Sequence, residues 1–251
     1  MERLIRRGGP RTRSPCASRV LAIGLAFLLS CEAVAAATAN GTPAVPAATV
    51  DLGHQSASLE VQRVASWVSG SKDNRGMPYL IVDKANARVF VFDAHGRLLG
   101  ADAALLGMGK GDRSVAGIGD RKMSAIRPEE RTTPAGRFKA SLDHDVHGHE
   151  ILVIDYAASI SLHAVVKGTP LERRAERLAS ATSDDNRISF GCINVPLKFY
   201  KTVVSPTFTH TFGIVYILPE MSPASEFFGF RDLAIDPQQS DATRAGTTRA
   251  D

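Results

Sequence analysis

The chain is 251 residues long, 44% hydrophobic and 22% charged, and it contains only three cysteines. This composition is typical of a globular protein and excludes a disordered chain, a collagen, a coiled coil and a small disulfide-stapled scaffold. The net charge of +4 arises in the first 35 residues, which carry six Arg and two Glu, and the remainder holds 24 basic and 24 acidic residues. Because no basic field is left to neutralise phosphates, we expect no nucleic-acid partner.

The N-terminal segment has the pattern of a secretory signal peptide. Arginines precede an uncharged apolar run, Val20 to Leu29, and small residues follow it. This run of ten residues is shorter than the roughly 20 that a spanning helix needs, so no transmembrane span is expected. We predict that residues 1–37 are removed by cleavage near Ala35 to Ala37 and that the protein is exported. A lipid anchor at Cys31 is the alternative, since Leu28 to Cys31 is similar to a lipobox.

The next residues predict a spacer followed by a helix, together spanning 38–75. Thr38 to Val50 is rich in Ala, Pro and Thr and indicates a flexible spacer. Apolar residues then recur at the i, i+3, i+4, i+7 spacing of an amphipathic helix, namely Val61, Val64, Ala65 and Val68. Residues 76–220 are predicted as the main domain. Residues 221–251 form a C-terminal extension, and its end, Asp236 to Asp251, is predicted to be disordered.

Six short runs in the main domain are rich in β-branched and aromatic residues and predict strands. The runs are Tyr79 to Asp83, Arg88 to Phe92, Arg137 to Leu142, Glu150 to Tyr156, Ile160 to Val166 and Phe212 to Leu218. Turn residues at Asp93 to Gly96 and Asp143 to Gly148 separate neighbouring runs, so we expect hairpins. The predicted fold is mainly β, a sandwich or barrel of mostly antiparallel strands with a few short helices.

Two helices are predicted between these strands. Thr169 to Glu172 has the form of a capping box with Pro at the first helical position, and the helix should reach about Ala181. Its expected buried stripe is Leu171, Ala175, Leu178 and Ala179. The second helix should run from Pro196 to about Val204, ahead of a second proline.

Cys192 is the cysteine that remains when Cys16 leaves with the leader and Cys31 is removed or lipidated. An unpaired thiol in an exported protein is a candidate reactive group, and the alternative is a small buried apolar side chain. It would lie in a turn four residues before the second helix, where the helix N-terminus favours a thiolate. The candidate base is His163, because strand alternation puts Ser161, His163 and Val165 on the face opposite the core. A structural histidine is the alternative.

At these positions the sequence resembles the catalytic domain of the L,D-transpeptidase (YkuD-type) family. The family signature is a His at a strand end, a variable insert, and then Ser/Thr-His-Gly-Cys with a hydrophobic residue and Asn or Arg. The matching residues are His163, Ser189, Gly191, Cys192 and Asn194, and Arg187 is similar to an Arg often found two positions before the Ser. Thr132 to Phe138 is similar to the Thr-Pro-x-Gly-x-Phe block of the family, and the resemblance covers roughly Gly76 to Pro219.

Two features depart from the family pattern. Phe190 stands where the family has its second His, and the insert between His163 and Ser189 is longer than usual. Both leave the nucleophile and its base in place. An altered acceptor, including water, is therefore kept as an alternative.

The resemblance implies a periplasmic cysteine acyltransferase that cross-links peptidoglycan, with stem peptides as donor and acceptor and with no cofactor or metal. Cys192 would be the nucleophile and His163 the base, and the backbone N–H groups of Cys192 and Gly191 would form the oxyanion hole. Ser189, Arg187 and Asn194 would position the substrate, since an Arg suits a carboxylate.

Three alternatives remain at the level of sequence. One is an L,D-carboxypeptidase or endopeptidase on the same fold. Another is a non-catalytic peptidoglycan-binding module, which the loss of the second His favours. A metal-dependent hydrolase could use the histidines of Asp143 to Glu150, although a solvated hairpin loop explains that segment more simply. Gly107 to Asp112 matches no phosphate-loop spacing and is predicted to be a mobile loop beside the groove.

Overall fold

The structure is a computed structural model, which describes residue 52 and residues 55–231. The predicted leader (1–37), the spacer Thr38 to Val50 and the predicted tail Asp236 to Asp251 lie outside the described residues, as do Cys16 and Cys31. Within the described part of the chain, no helix is both long and apolar enough to cross a membrane.

The centre of the fold is an eight-stranded sheet with the order β3-β2-β1-β10-β5-β6-β7-β9, beside a two-stranded sheet of β4 and β8. The strands are β1 Tyr79–Asp83, β2 Arg88–Phe92, β3 Leu98–Ala103, β4 Leu106–Gly107, β5 Gly136–His144, β6 Glu150–Asp155, β7 Ile160–Ala164, β8 Arg187–Ser189, β9 Ile193–Val195 and β10 Gly213–Ile217. In the larger sheet only the β1–β10 and β7–β9 pairs are parallel. The predicted mainly β fold with mostly antiparallel strands is confirmed.

The six predicted strands all form, and four further strands were not predicted, three of them very short. β4, β8 and β9 have two or three residues each, which is too few for a period-2 pattern to stand out. β3 lies at the sheet edge with partly exposed residues, and its sequence LLGADA lacks β-branched residues. Edge strands gain little from burial, so their sequences carry a weak signal.

Both faces of the central strands are covered, which explains their continuous apolar runs. On one face Leu80 and Val82 pack in the same cluster as Phe199, Val204 and Phe208. On the other face, alternate residues of β1 and β10 pack with the helix α1, Leu59–Ser71. This is the predicted amphipathic helix, and its buried residues are the four predicted from the spacing, Val61, Val64, Ala65 and Val68. A short helix, α5 Ala224–Phe228, packs beside α1, where Trp67 stacks on Phe228.

The prediction of one helix from Thr169 to about Ala181 is wrong. The Thr169 side chain caps nothing, and a 3₁₀ turn at Pro170–Glu172 ends in left-handed Arg173, with φ of 46°. A five-residue helix, α2 Arg174–Leu178, then follows. Leu171 is 89% exposed, and the buried residue of α2 is Arg174. The segment is therefore held by polar contacts of Arg174 rather than by an apolar stripe.

The second predicted helix begins where expected but extends further. α3 Leu197–Phe199 continues into a π-helical turn, Tyr200–Val204, and then into α4 Ser205–Phe208. The wider π turn directly precedes the Ser-Pro pair that was predicted to end the helix, and such turns accommodate irregularities in the hydrogen-bond ladder. The helical path packs Phe199, Val204 and Phe208 onto the sheet.

Candidate active site

Adjacent strands bring the predicted nucleophile and base to one cavity. β7 and β9 are parallel neighbours that pair Leu162 with Ile193 and His163 with Asn194. Cys192 directly precedes β9, so it lies next to the β7 residues before His163. His163 and Cys192 both line a cavity of about 400 Å³, together with Ser159 and Ser161. Ile160 and Leu162 lie in the core, as alternation predicted.

The Cys192 side chain is 6% exposed, but its thiol has polar neighbours and opens onto the cavity. The Ser161 hydroxyl donates to Sγ at 3.5 Å, and Sγ donates to the backbone carbonyl of Ser159 at 3.5 Å. The structure does not place a helix N-terminus next to Cys192, although the sequence predicted one that would favour the thiolate. β9 intervenes before α3, which begins at Leu197 and has three residues, and the dipole effect falls off within one turn.

The His163 ring is held in one tautomer by a backbone carbonyl. Nδ1 lies 2.8 Å from the carbonyl oxygen of Ala164. A carbonyl only accepts hydrogen bonds, so Nδ1 carries a proton. In the neutral ring the lone pair is then on Nε2, which is the arrangement that a general base acting through Nε2 requires.

Ser189 and Asn194 are fully buried and hold the backbone around Cys192. The Ser189 hydroxyl donates to the Cys192 carbonyl at 2.6 Å and accepts from the Gly191 N–H at 3.0 Å. The Asn194 amide also donates to the Cys192 carbonyl, at 3.3 Å. The Gly191 N–H is therefore already used, contrary to its predicted place in an oxyanion hole. Of the two predicted oxyanion-hole donors, the Cys192 N–H is the one that remains.

Gly191 itself is required by two features of the turn. Its φ is +127°, and a Cβ added there would lie 2.8 Å from both the Thr132 carbonyl oxygen and the Ile160 side chain. The Thr133 hydroxyl donates to the Gly191 carbonyl at 2.8 Å and accepts from the Gly107 N–H at 2.9 Å. Thr132 to Phe138, the second block of the resemblance, thus packs directly against the cysteine turn.

Arg187 does not line the cavity. Its guanidinium forms an ion pair with Glu220 and lies 3.4 Å from the carbonyls of Gly107 and Gly109. It joins β8 to the end of β10 and to the glycine-rich segment. Its predicted contact with a substrate carboxylate stays a prediction, and in this structure Lys201 is a cation that does line the cavity.

The glycine-rich segment Gly107 to Asp112, which was predicted to be mobile, is held in place by hydrogen bonds from the buried Lys84. Gly107 belongs to β4, and the Lys84 ammonium donates to Gly111 O and Asp112 Oδ1 at 2.7 Å each and to Thr133 O at 3.1 Å. Burial lowers the pKa of Lys84. Burial acts to raise the pKa of Asp112, but hydrogen bonds from Lys84 and from two backbone N–H groups outweigh it and lower that pKa.

Phe190 packs against the guanidinium of Arg131, a contact that the sequence did not predict. The Arg131 guanidinium carbon lies 3.8 Å from the centroid of the Phe190 ring, in a cation–π contact. Phe190 also lines a small cavity of about 20 Å³ that borders Cys192 together with Ile118 and Met123. The ring at the position of the second family His is therefore packed against the segment before β5.

The remaining walls of the main cavity are largely apolar. Val165, Val166 and Leu197 line it, and the polar residues of these remaining walls besides Lys201 are Asp145, His149, Glu150 and Tyr200. Burial, assisted by the nearby Glu150 carboxylate, raises the pKa of Tyr200, so its hydroxyl stays protonated. This combination suits a ligand with an apolar body and a few polar groups.

The β5–β6 connection forms a hairpin loop, as the favoured interpretation predicted; it contains His147 and His149, and His144 is the last residue of β5. Asp145 accepts from the backbone N–H groups of His147 and His149 at 2.8 Å each, and His149 Nδ1 lies 3.1 Å from its other oxygen. Among the described residues, no group of three or more His, Cys, Asp or Glu side chains is arranged to hold a metal ion.

The sequence matches no family model and no curated protein. Its structure is similar to a crystal structure of a cysteine-to-serine mutant of Enterococcus faecium L,D-transpeptidase, with 16% identity and a TM-score of 0.34 over 57% of this chain and 50% of that chain. It is also similar to an NMR structure of the catalytic domain from E. faecium L,D-transpeptidase, with 16% identity and a TM-score of 0.31 over 56% of this chain and 95% of that chain. The matched region spans about half the length of the first structure. At these values the likeness establishes neither activity nor substrate.

Proposed function

We propose that this protein is an exported cysteine acyltransferase that cross-links peptidoglycan stem peptides through a cysteinyl acyl-enzyme. The observation that carries the proposal is the shared cavity, which Cys192 and His163 both line. The tautomer of His163 supports it, since Nδ1 is occupied by the Ala164 carbonyl. The resemblance of the motif residues to the L,D-transpeptidase family supplies the substrate class.

In the first half-reaction, His163 Nε2 accepts the proton of the Cys192 thiol and Sγ attacks an amide carbonyl of the donor stem. The carbonyl oxygen becomes an oxyanion, to which the Cys192 N–H can donate. The Thr133 hydroxyl orients that N–H, because it donates to the Gly191 carbonyl of the same planar peptide group. Ser189 and Asn194 hold the Cys192 carbonyl on the other side of the residue. When the C–N bond breaks, His163 returns the proton to the leaving amine and a thioester remains.

In the second half-reaction, an amine of a neighbouring stem attacks the thioester and His163 takes its surplus proton. The C–S bond breaks, the new amide forms, and the proton passes to the departing sulfur. Water in place of the amine would give the hydrolase alternative. The periplasmic location belongs to the same proposal and depends on the leader sequence, with a lipid anchor at Cys31 as the alternative to cleavage near Ala35 to Ala37.

The test is to incubate the purified protein with donor and acceptor stem peptides and to follow intact mass and products. We expect an acyl adduct on Cys192 and a cross-linked peptide, both lost in Cys192→Ser. A shortened donor without a cross-linked product would instead identify a hydrolase. Peptide binding with neither adduct nor product would identify a binding module and overturn the proposal.

A further inference from the structure

Two oxygen atoms of opposite hydrogen-bonding character flank the Cys192 sulfur. The Ser161 hydroxyl donates to Sγ at 3.5 Å. The Ser159 carbonyl, also 3.5 Å from Sγ, accepts from the thiol. Neither serine belongs to the set of site residues that the motif predicted, although both line the cavity.

The backbone that carries both oxygens is held in place by its neighbours. Ser161 is 4% exposed and lies within β7, where it pairs with Val153 of β6. Ser159 has a left-handed backbone, with φ of 56°, in the turn between those strands. The Asp155 carboxylate accepts from the N–H groups of Ala157 and Ala158 at 2.8 and 3.2 Å, which fixes that turn. The Ser159 carbonyl is therefore preorganised, and the Ser161 hydroxyl projects from a fixed position of β7.

The two contacts respond in opposite ways when the thiol loses its proton. A hydroxyl donor stabilises a thiolate more than a thiol, because a hydrogen bond to an ionised acceptor is stronger than one between neutral groups. A carbonyl oxygen accepts from S–H but faces a thiolate with its negative end. The carbonyl therefore favours the neutral thiol, and the hydroxyl favours the ionised form.

We propose that Ser161 is a catalytic residue that stabilises the Cys192 thiolate, while the Ser159 carbonyl holds the proton of the resting thiol. The thiol donates to the Ser159 carbonyl until its proton moves to His163, and the Ser161 hydroxyl then donates to the thiolate that forms. This inference rests on the proposed function in taking Cys192 as the nucleophile. The sequence signal was the position of Ser161, two residues before His163 on the same strand face.

Alkylation of Cys192 by iodoacetamide against pH tests the role of Ser161 in the full chain. Mass spectrometry of the Cys192 peptide keeps Cys16 and Cys31 out of the measurement. We expect Ser161→Ala to raise the pH midpoint of alkylation by about one unit, which slows alkylation about tenfold below the midpoint. Ser161→Thr, which keeps a hydroxyl, should restore most of the rate.

The matched control is Ser141→Ala. Ser141 of β5 pairs with Val153, which in turn pairs with Ser161, so it lies in the same row of the sheet two strands away. Its midpoint should equal that of the wild-type protein. An unchanged midpoint in a cooperatively melting Ser161→Ala variant would overturn the inference.

A measurement that leaves Ser161 unchanged covers the case in which the variant fails to fold. It uses the full chain with Cys16→Ser and Cys31→Ser, which leaves Cys192 as its single thiol. The Raman S–H band, recorded below the alkylation midpoint, should have the frequency of a hydrogen-bonded thiol, and a free-thiol frequency would overturn the inference. Alkylation needs no peptide substrate. A shifted midpoint without acyl transfer would therefore refute the proposed function alone, and acyl transfer with an unshifted midpoint would refute the role of Ser161 alone.

Discussion

The turn before Cys192 depends on a residue without a side chain. An alanine at position 191 would destabilise the turn in two ways. It would have to adopt a left-handed φ of +127°, and its Cβ would lie 2.8 Å from atoms of Thr132 and Ile160. The first cost is backbone strain, of order 1–3 kcal/mol. The second displaces the turn itself, and with it the N–H of Cys192 that the proposed oxyanion hole uses.

Gly191→Ala is therefore expected to lower the free energy of unfolding by about 2–4 kcal/mol and to reduce acyl transfer strongly. Chemical denaturation and a single-turnover assay measure the two effects. Gly111→Ala is the matched control, since Gly111 has φ of +125° and no atom within 4 Å of the added Cβ. Equal losses in both variants would show that strain alone matters and that the close contacts at Gly191 do not.

His163→Asn separates the two nitrogens of the imidazole. The Asn amide can replace Nδ1 as donor to the Ala164 carbonyl, but it offers no base in place of Nε2. We expect folding to be retained and acyl transfer to fall by about 10²- to 10⁴-fold, the usual contribution of a general base. Melting temperature and initial rates measure these outcomes. His147→Asn in the hairpin loop is the control, and a His163→Asn rate near that of wild type would exclude His163 as the base.

The sequence predicted the candidate nucleophile and base, but it did not predict the contacts made by the residues around them. Cys192 and His163 follow from cysteine usage, strand alternation and the motif resemblance. The contacts of Arg187 with Glu220 and of Arg131 with Phe190 join segments far apart in sequence, and no local pattern encodes such pairs. Ser161 was on the predicted face, but only the register of β7 against β9 brings it beside the thiol.

Among elements, the segment between β4 and β5 is built from short 3₁₀ turns and ion pairs rather than from an apolar stripe. Its last turn, Pro128–Glu130, ends next to Arg131, which lies over Phe190. Glu130 accepts from both terminal nitrogens of Arg121 at 3.0 Å and from the Arg127 N–H at 2.9 Å. These hydrogen bonds, chiefly that from Arg121, lower the pKa of Glu130 to about 2.

The lowered pKa of Glu130 predicts a contribution to acid stability. Its pKa in the folded protein, about 2, lies below its ordinary value of 4.5, so the unfolded chain binds the proton more readily. The contribution is present in full above the ordinary value and is lost as the pH falls towards 2. The melting temperature of Glu130→Gln should therefore fall less than that of wild type between about pH 5 and about pH 2. Glu129→Gln should follow wild type, and identical slopes for wild type and Glu130→Gln would contradict the prediction.

Element prediction succeeded where one face of a regular element is buried. α1 shows its helical spacing because its four apolar residues pack on the sheet, and six strands show β-branched runs. The capping-box pattern at Thr169 failed because the side chain caps nothing and Leu171 faces solvent. The short helix in this segment is held by the buried Arg174, which donates to Asn194 at 2.9 Å. Such a helix has no periodic apolar pattern in its sequence.

At the scale of the molecule, a buried ion cluster links the ends of several strands to the turn before Cys192. Lys84 follows β1 and bonds to Asp112 and to the Thr133 carbonyl, and the Thr133 hydroxyl bonds to Gly191. Glu220, beyond β10, lies 3.7 Å from the Lys84 ammonium and pairs with Arg187 of β8. The side chain of Lys84 is 0% exposed, so this charge is compensated entirely by the protein around it.

Lys84→Met should consequently cost about 3–5 kcal/mol of unfolding free energy, because Asp112 is left without its counter-ion in a partly buried site. Asp112→Asn should also destabilise, since it leaves the ammonium buried with a weaker partner. The double variant removes both charges, so its loss should be smaller than the sum of the single losses by about 1–3 kcal/mol. Denaturation of the four proteins gives this coupling energy. A coupling energy of zero would mean that Lys84 and Asp112 act independently, and acyl transfer unchanged in Lys84→Met would mean that the cluster does not reach the Cys192 turn through Thr133.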